Sequence, residues 1–150
     1  MSTRPALTPT PMGKIVTTLT VTNRSDQARA AAGDLPADQV RSVTLDNVLV
    51  DSGATTLCLP ADVIAQLGLT VRREVPIATA AGPGTARLFR DAEVALMGRE
   101  APFDCLELPA GTTPLLGVIP LEALGIEADF RNGRLRLLPE EPGNTYFTIL

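Results

Sequence analysis

Apolar and polar residues alternate along much of the chain, and the alternation predicts strands. Ile15 to Thr22 puts Ile15, Leu19 and Val21 on one face and Thr18, Thr20 and Thr22 on the other, a strand with one buried face. Asn23 to Asp38 breaks the pattern with Ser, Asp, Gly, Pro and a short Ala run, so a long loop with at most one helical turn is expected. Val40 to Leu45 predicts a second strand, and the continuous Val48-Leu49-Val50 a short strand buried on both sides. Glu74 to Ala80 and Thr85 to Leu96 read as strands around a tip at Ala81-Gly82-Pro83-Gly84, and Pro102 to Leu108 as another. Glu127 to Phe130 and Arg134 to Leu138 flank Asn132-Gly133, a hairpin-turn dipeptide. Tyr146 to Leu150 offers one more edge strand after a polar stretch.

Two short helices interrupt this β pattern. The first runs from Pro60, suited to the first helical position, to Leu67, with Gly68 as its left-handed stop. The second runs from Pro120 to Leu124 and stops at Gly125. Each follows an apolar stretch and a glycine-bearing turn, with Gly53 before the first and Gly117 before the second. One supersecondary unit used twice, with an approximate internal two-fold, is expected. Only the first copy carries an acid in its turn.

Composition narrows the function. A chain of 150 residues suits one domain, and 45% hydrophobic with 20% charged residues suits a globular one. Aromatics are 3% and Trp is absent, so the core must be aliphatic. The net charge of −4 is dispersed, with neither a basic patch nor stacking aromatics, which argues against a nucleic-acid partner. Met1 to Pro11 reads as a flexible leader without the apolar segment of a secretory signal. No stretch has the length of a membrane span, and a cytoplasmic location is expected. Cys58 and Cys105 sit in apolar surroundings and read as buried free thiols rather than a disulfide. Histidine is absent, which excludes Ser-His and Cys-His catalysis, and two distant cysteines make no zinc site, so neither metal nor cofactor is expected. The chemistry is left to carboxylates, Lys, Ser, Thr or Tyr.

The strongest local signal is Val48-Leu49-Val50-Asp51-Ser52-Gly53-Ala54-Thr55. Asp, Ser and Gly are turn formers, so an ordinary turn is one reading. An ionisable Asp ending an apolar strand is costly if buried without a partner, so a functional carboxylate is the other.

Asp51-Ser52-Gly53-Ala54 after an aliphatic run resembles the Asp-Thr/Ser-Gly turn of aspartic proteases. Leu115-Leu116-Gly117 resembles the hydrophobic-hydrophobic-Gly element of their second half. The likeness continues through Leu121-Glu122-Ala123-Leu124-Gly125 to Asp129, as in the small single-lobe bacterial retropepsin-like proteins of clan AA, and covers roughly Met12 to Leu138. It implies an all-β, retropepsin-like closed β-barrel with two short helices and one lobe per chain. The leader would occupy 1–11, the protease domain 12–138 and a C-terminal tail 139–150.

The resemblance also implies an aspartic endopeptidase acting on protein or peptide substrates as a homodimer. Aspartic protease chemistry needs two carboxylates sharing one proton, because like charges at about 3 Å cannot both ionise. A chain with one motif would obtain the second Asp51 from a symmetry-related copy. Ser52 would hydrogen bond across the dimer, and Gly53 would allow close backbone approach. Leu49, Ala54, Thr112, Thr113 and Leu115 fall where the family lines its substrate pockets. Thr79, Gly82 and Gly84 fall in the hairpin that closes over substrate. Viral members carry an Asp soon after the motif, paired with an Arg just after the later Gly. Thr55 and Val118 stand there instead, so both charges are absent together and no buried charge is orphaned. The alternatives are a weakly active or inactive dimerisation or peptide-binding module on the same fold, and a plain β-barrel binding domain.

Overall fold

The computed structural model describes residues 14–141, 144, 145 and 149. The leader reading of Met1 to Pro11 lies outside these residues, as does the edge-strand reading of Tyr146 to Leu150 apart from Ile149. Strands dominate. The first two are β1 (Ile15–Asn23) and β2 (Ser42–Val50), followed by β3 (Leu57–Pro60), β4 (Val71–Thr79) and β5 (Gly82–Leu96). Then come β6 (Arg99–Leu108), β7 (Leu115–Leu116), β8 (Ile126–Asp129) and β9 (Arg134–Leu137). Three helices join them: α1 (Arg24–Ala31), α2 (Ala61–Leu67) and α3 (Val118–Leu124).

The main sheet has the order β1-β2-β7-β3-β6-β5-β4, and β1 also pairs with β5. Hydrogen-bonded pairing therefore runs in a ring from β1 through β2, β7, β3, β6 and β5 back to β1, with β4 outside it. Aliphatic side chains fill the core, among them Leu19, Val48, Leu57, Leu59, Val94 and Leu116. The hairpin β8–β9 forms its own small sheet, with Gly133 at φ +67° in its turn.

Bulges keep apolar residues facing this core. Val40 to Leu45 and Val48 to Val50, expected as two strands, are a single strand from Ser42 to Val50. Its register against β1 shifts between the pairs Thr17↔Val48 and Leu19↔Leu45, leaving one extra residue on β2. That residue reverses the alternation, so Val43 and Leu45 reach the same core as Val48 and Val50. β5 does the same between Phe89 and Ala92, where Asp91 adopts φ +69°. Phe89, Ala92, Val94 and Leu96 are all buried as a result.

The long loop expected over Asn23 to Asp38 is corrected: it holds the two-turn helix α1 and a 3-10 turn at Ala37–Gln39. α1 has no apolar stripe, so periodicity could not reveal it. Polar bonds made at a distance hold it instead. The Asn23 side chain caps α1 by accepting from the Asp26 N–H at 3.0 Å and donates to the Leu67 carbonyl at 2.9 Å. Asp26, 3% exposed, accepts from the Arg41 backbone N–H at 3.0 Å, from Nε at 2.8 Å and from Nη2 at 3.0 Å. Among the described residues there are thus three α-helices where two were expected.

The other two helices sit close to their predicted places. Pro60 is the extended residue before α2 rather than its first helical residue, because it still belongs to β3 opposite Leu108. α3 starts two residues before Pro120, which lies in the first turn where no backbone N–H is needed. Gly68 and Gly125 end their helices in the left-handed conformation, at φ, ψ of 66°, 32° and 66°, 41°. β2 runs parallel to β7 and β3 parallel to β6. The two helix units differ in one respect: β3 separates Gly53 from α2, whereas Gly117 directly precedes α3. No helix among the described residues is long and apolar enough to cross a membrane.

Candidate active site

β7 lies between β2 and β3, parallel to the first and antiparallel to the second. The segment from Asp51 to Thr56, which joins β2 to β3, must therefore cross the end of β7. Asp51 starts this crossing, and its N–H bonds the Leu116 carbonyl at 3.0 Å. A tight turn follows: the Ala54 N–H bonds the Asp51 carbonyl at 3.0 Å, and the Gly53 N–H donates to Asp51 Oδ1 at 2.8 Å. Oδ2 accepts no hydrogen bond among the described residues. Asp51 is half-buried, while Ser52 and Gly53 are exposed, so the carboxylate is held in a fixed place yet open to a ligand.

The far side of the crossing rests on α3. Gly117 donates to the Thr56 carbonyl at 3.0 Å, Val118 to Ala54 at 3.1 Å and Ile119 to Thr55 at 3.0 Å. Three N–H groups at the start of α3, which no helical carbonyl could satisfy, are thereby used to clamp the turn. Gly117 is required by this approach rather than by its dihedrals, φ −90° and ψ −171°. A Cβ there would lie 2.5 Å from the Ala54 oxygen, 2.6 Å from the Thr56 oxygen and 2.7 Å from the Thr55 carbonyl carbon. Thr55 and Val118, the positions of the absent ion pair, lie on the two sides of this clamp.

Both thiols are buried and free, Cys58 in β3 just after the turn and Cys105 in β6. Leu57 and Cys105 are register partners, so Cys58 points to the opposite face of the sheet from Cys105. Burial pushes the Cys58 thiol up to about 11, with the Asp51 charge adding to it. Burial, and then Cys58, push Cys105 up to about 12. Neither thiol is a nucleophile at neutral pH.

The remaining predicted site residues fall into three groups. Leu49 and Leu115 are register partners one step before the pair Val50↔Leu116, half-buried beside the turn, and Ala54 lies within it. Thr79, Gly82 and Gly84 lie at the tip of the β4–β5 hairpin. The loop itself is Ala80–Ala81, one step earlier than the tip read from the sequence, and Pro83 and Gly84 belong to β5. The Thr79 hydroxyl is engaged inside this turn, donating to the Gly82 carbonyl at 2.6 Å and accepting from the Ala81 N–H at 3.2 Å. Thr112 locks its own turn by donating to the Pro109 carbonyl at 2.7 Å, and exposed Thr113 follows it.

Two features escaped the sequence. Asp62, in the first turn of α2, accepts from the Gly111 N–H at 3.1 Å and ties the 109–114 loop to that helix. An apolar cavity of about 320 Å³ opens beside Ser52, bounded by Val118, Leu121, Phe130 and Leu138. Val118, which lines this cavity, and its neighbour Ile119 are 37% and 49% exposed, and Leu137, next to the lining Leu138, is 44% exposed.

Residues 42–123, more than half of the chain, match a family model described as gag-polyprotein putative aspartyl protease. The matched stretch runs from the start of β2 to α3 and includes Asp51, the β4–β5 hairpin and Gly117. No curated protein matches the chain.

Proposed function

This chain belongs to the retropepsin-like gag-polyprotein aspartyl protease family, and from that premise we propose that it is a homodimeric aspartic endopeptidase whose working site combines the Asp51 carboxylates of two copies. One observation carries the reading: a single carboxylate, held through one oxygen by the Gly53 N–H and open to solvent, on a turn clamped by α3. A lone carboxylate cannot activate water and protonate the departing group at once, whereas two sharing a proton can.

In the dimer one Asp51 takes a proton from a bound water while the protonated partner polarises the scissile carbonyl. The two exchange roles as the tetrahedral intermediate collapses. The Gly53 N–H keeps Oδ1 oriented through both halves of the cycle, and Ser52 bonds across the two-fold. We read the ring of paired strands as the family's barrel, with the β4–β5 hairpin closing over an extended peptide. The exposed Val118, Ile119 and Leu137 form part of the face that the second copy covers.

Sedimentation at tens of micromolar should give a dimer, and a stable monomer there would contradict the proposal. Cleavage should follow a bell-shaped profile centred on mildly acidic pH, since only the singly protonated pair works. A rate that climbs steadily into alkaline pH would rule the mechanism out. A peptide-binding module that does not cut is the second reading, favoured by Thr55 and Val118 in place of the charged pair. Peptide binding without cleavage at any pH would establish it.

A further inference from the structure

The strand registers give the main sheet two faces. Ile15, Val50, Leu116, Leu57 and Cys105 are register neighbours in one row, and all are buried in the core. The adjacent row, Val16, Leu49, Leu115, Cys58 and Leu106, points to the opposite face. Asp51 shares that face with Leu49, since Leu49, Val50 and Asp51 alternate as half-buried, buried and half-buried. The same alternation runs back from β7: Pro114 and Leu116 are buried, while Thr113 and Leu115 are not. Thr113 therefore lies on the side of Asp51, at the margin of an apolar row. Its hydroxyl makes no hydrogen bond among the described residues, whereas that of Thr112 is engaged by the Pro109 carbonyl.

Two anchors fix Thr113 in place. After it, the Pro114 carbonyl accepts from the Leu49 N–H at 2.9 Å. Before it, the Gly111 N–H donates to Asp62 Oδ1 at 3.1 Å. Only Thr112 and Thr113 lie between them. The first anchor is backbone to backbone, and the second depends on one side chain. Pro60 and Leu108 are register partners, so α2 and the 109–114 loop leave the sheet side by side, which brings Asp62 to Gly111. We propose that Asp62 is a positioning residue for peptide binding, holding this loop so that the Thr113 hydroxyl meets a polar backbone group of an extended peptide. This rests on the protease reading for where the peptide lies. A loop released at Gly111 must be ordered again when peptide binds, so the loss falls on affinity. Asp51 is held separately, by Gly53 and the α3 clamp, so the chemical step is spared.

The test uses full-length chains. A fluorescein-labelled decapeptide, selected from a random library for binding to Asp51→Asn, reports Kd by anisotropy in that background, and kcat and KM with Asp51 intact. Asp62→Ala should raise Kd and KM about fivefold, the size of one hydrogen bond, and leave kcat within about twofold. Asp62→Asn keeps a side-chain oxygen for the Gly111 N–H and should bind like the parent. Thr113→Val removes the hydroxyl at nearly constant shape and should weaken binding by a similar factor. Adding Asp62→Ala to it should weaken binding little further, because both act through the same contact. Unchanged Kd in Asp62→Ala, even with a lower Tm, overturns the role, since the bond then serves stability alone. An Asp62→Asn chain as weak as Asp62→Ala overturns it too, as do two losses that multiply in the double variant. Each of these can occur while the parent chain still cleaves. The expected pattern in Kd with no cleavage by the parent upholds the role of Asp62 and overturns the protease reading. Failure of Asp51→Asn to bind any peptide overturns both.

Discussion

Replacing Gly117 by alanine adds a single methyl group where the turn and α3 meet. It would sit 2.5, 2.6 and 2.7 Å from three backbone atoms of residues 54–56, none of which can rotate away. The strands and α3 must separate by several tenths of an ångström, lengthening the three hydrogen bonds between 117–119 and 54–56. Overpacking of this kind costs about 1–3 kcal/mol, and weakening hydrogen bonds adds about 1 kcal/mol. Working against this, Gly→Ala reduces unfolded-chain entropy and stabilises by about 0.4–1 kcal/mol where the backbone allows it, as φ −90° does. The net expectation is a loss of about 1–3.5 kcal/mol, or a Tm lower by about 3–12 °C for a chain of this size. Gly84 is the control: a Cβ there meets only Ile77, at 3.9 Å, and φ is not positive. Gly84→Ala should therefore be neutral or slightly stabilising. Thermal melts followed by circular dichroism, at equal protein concentration, compare the two. If Gly117→Ala melts with Gly84→Ala and the parent chain, the clamp is not as tight as described and the argument from close approach is wrong.

Hydrogen bonds from the Arg41 side chain hold the Asp26 carboxyl below its ordinary value of 3.8, outweighing burial. With the folded value depressed, the contribution is complete above the unfolded value and is lost as pH falls through the folded one. The stability gap between the parent chain and Asp26→Asn should be widest near neutral pH and narrow below about pH 4, measured by urea unfolding across pH; a gap that widens in acid would contradict it. Cys58 and Cys105 should resist iodoacetamide at pH 8 in the native chain and both react in denaturant, read by intact mass; rapid native labelling would show that the thiols are not buried as described.

The parts legible in the sequence were those written locally. The Asp51-Ser52-Gly53 turn, the two helices with their glycine stops and the Asn132-Gly133 hairpin depend on neighbouring residues, and all lie within a residue or two of where the chain announces them. Features that depend on residues far apart were not legible. α1 was hidden because its support comes from Leu67 and Arg41, not from an apolar face of its own. β2 looked like two strands because a bulge reverses its alternation, and period-two reasoning cannot cross such a reversal. The insertion of β7 between β2 and β3 gives Gly117 its purpose, and no spacing along the chain encodes that order. Glu74, Arg87 and Glu107 meet from three different strands and read singly as ordinary surface residues.

The shared site is tested most directly by mixing subunits. Asn is nearly isosteric with Asp, so Asp51→Asn should fold and dimerise but not cleave. Mixed in equal amounts with the parent chain and allowed to exchange, it should leave about a quarter of dimers with both acids, given random pairing. Cleavage per parent chain should then fall to about half its unmixed value. Cleavage that stays proportional to the amount of parent chain, with exchange verified by mass-labelled subunits, would mean that each subunit holds a complete site and that Asp51 does not work as half of a pair.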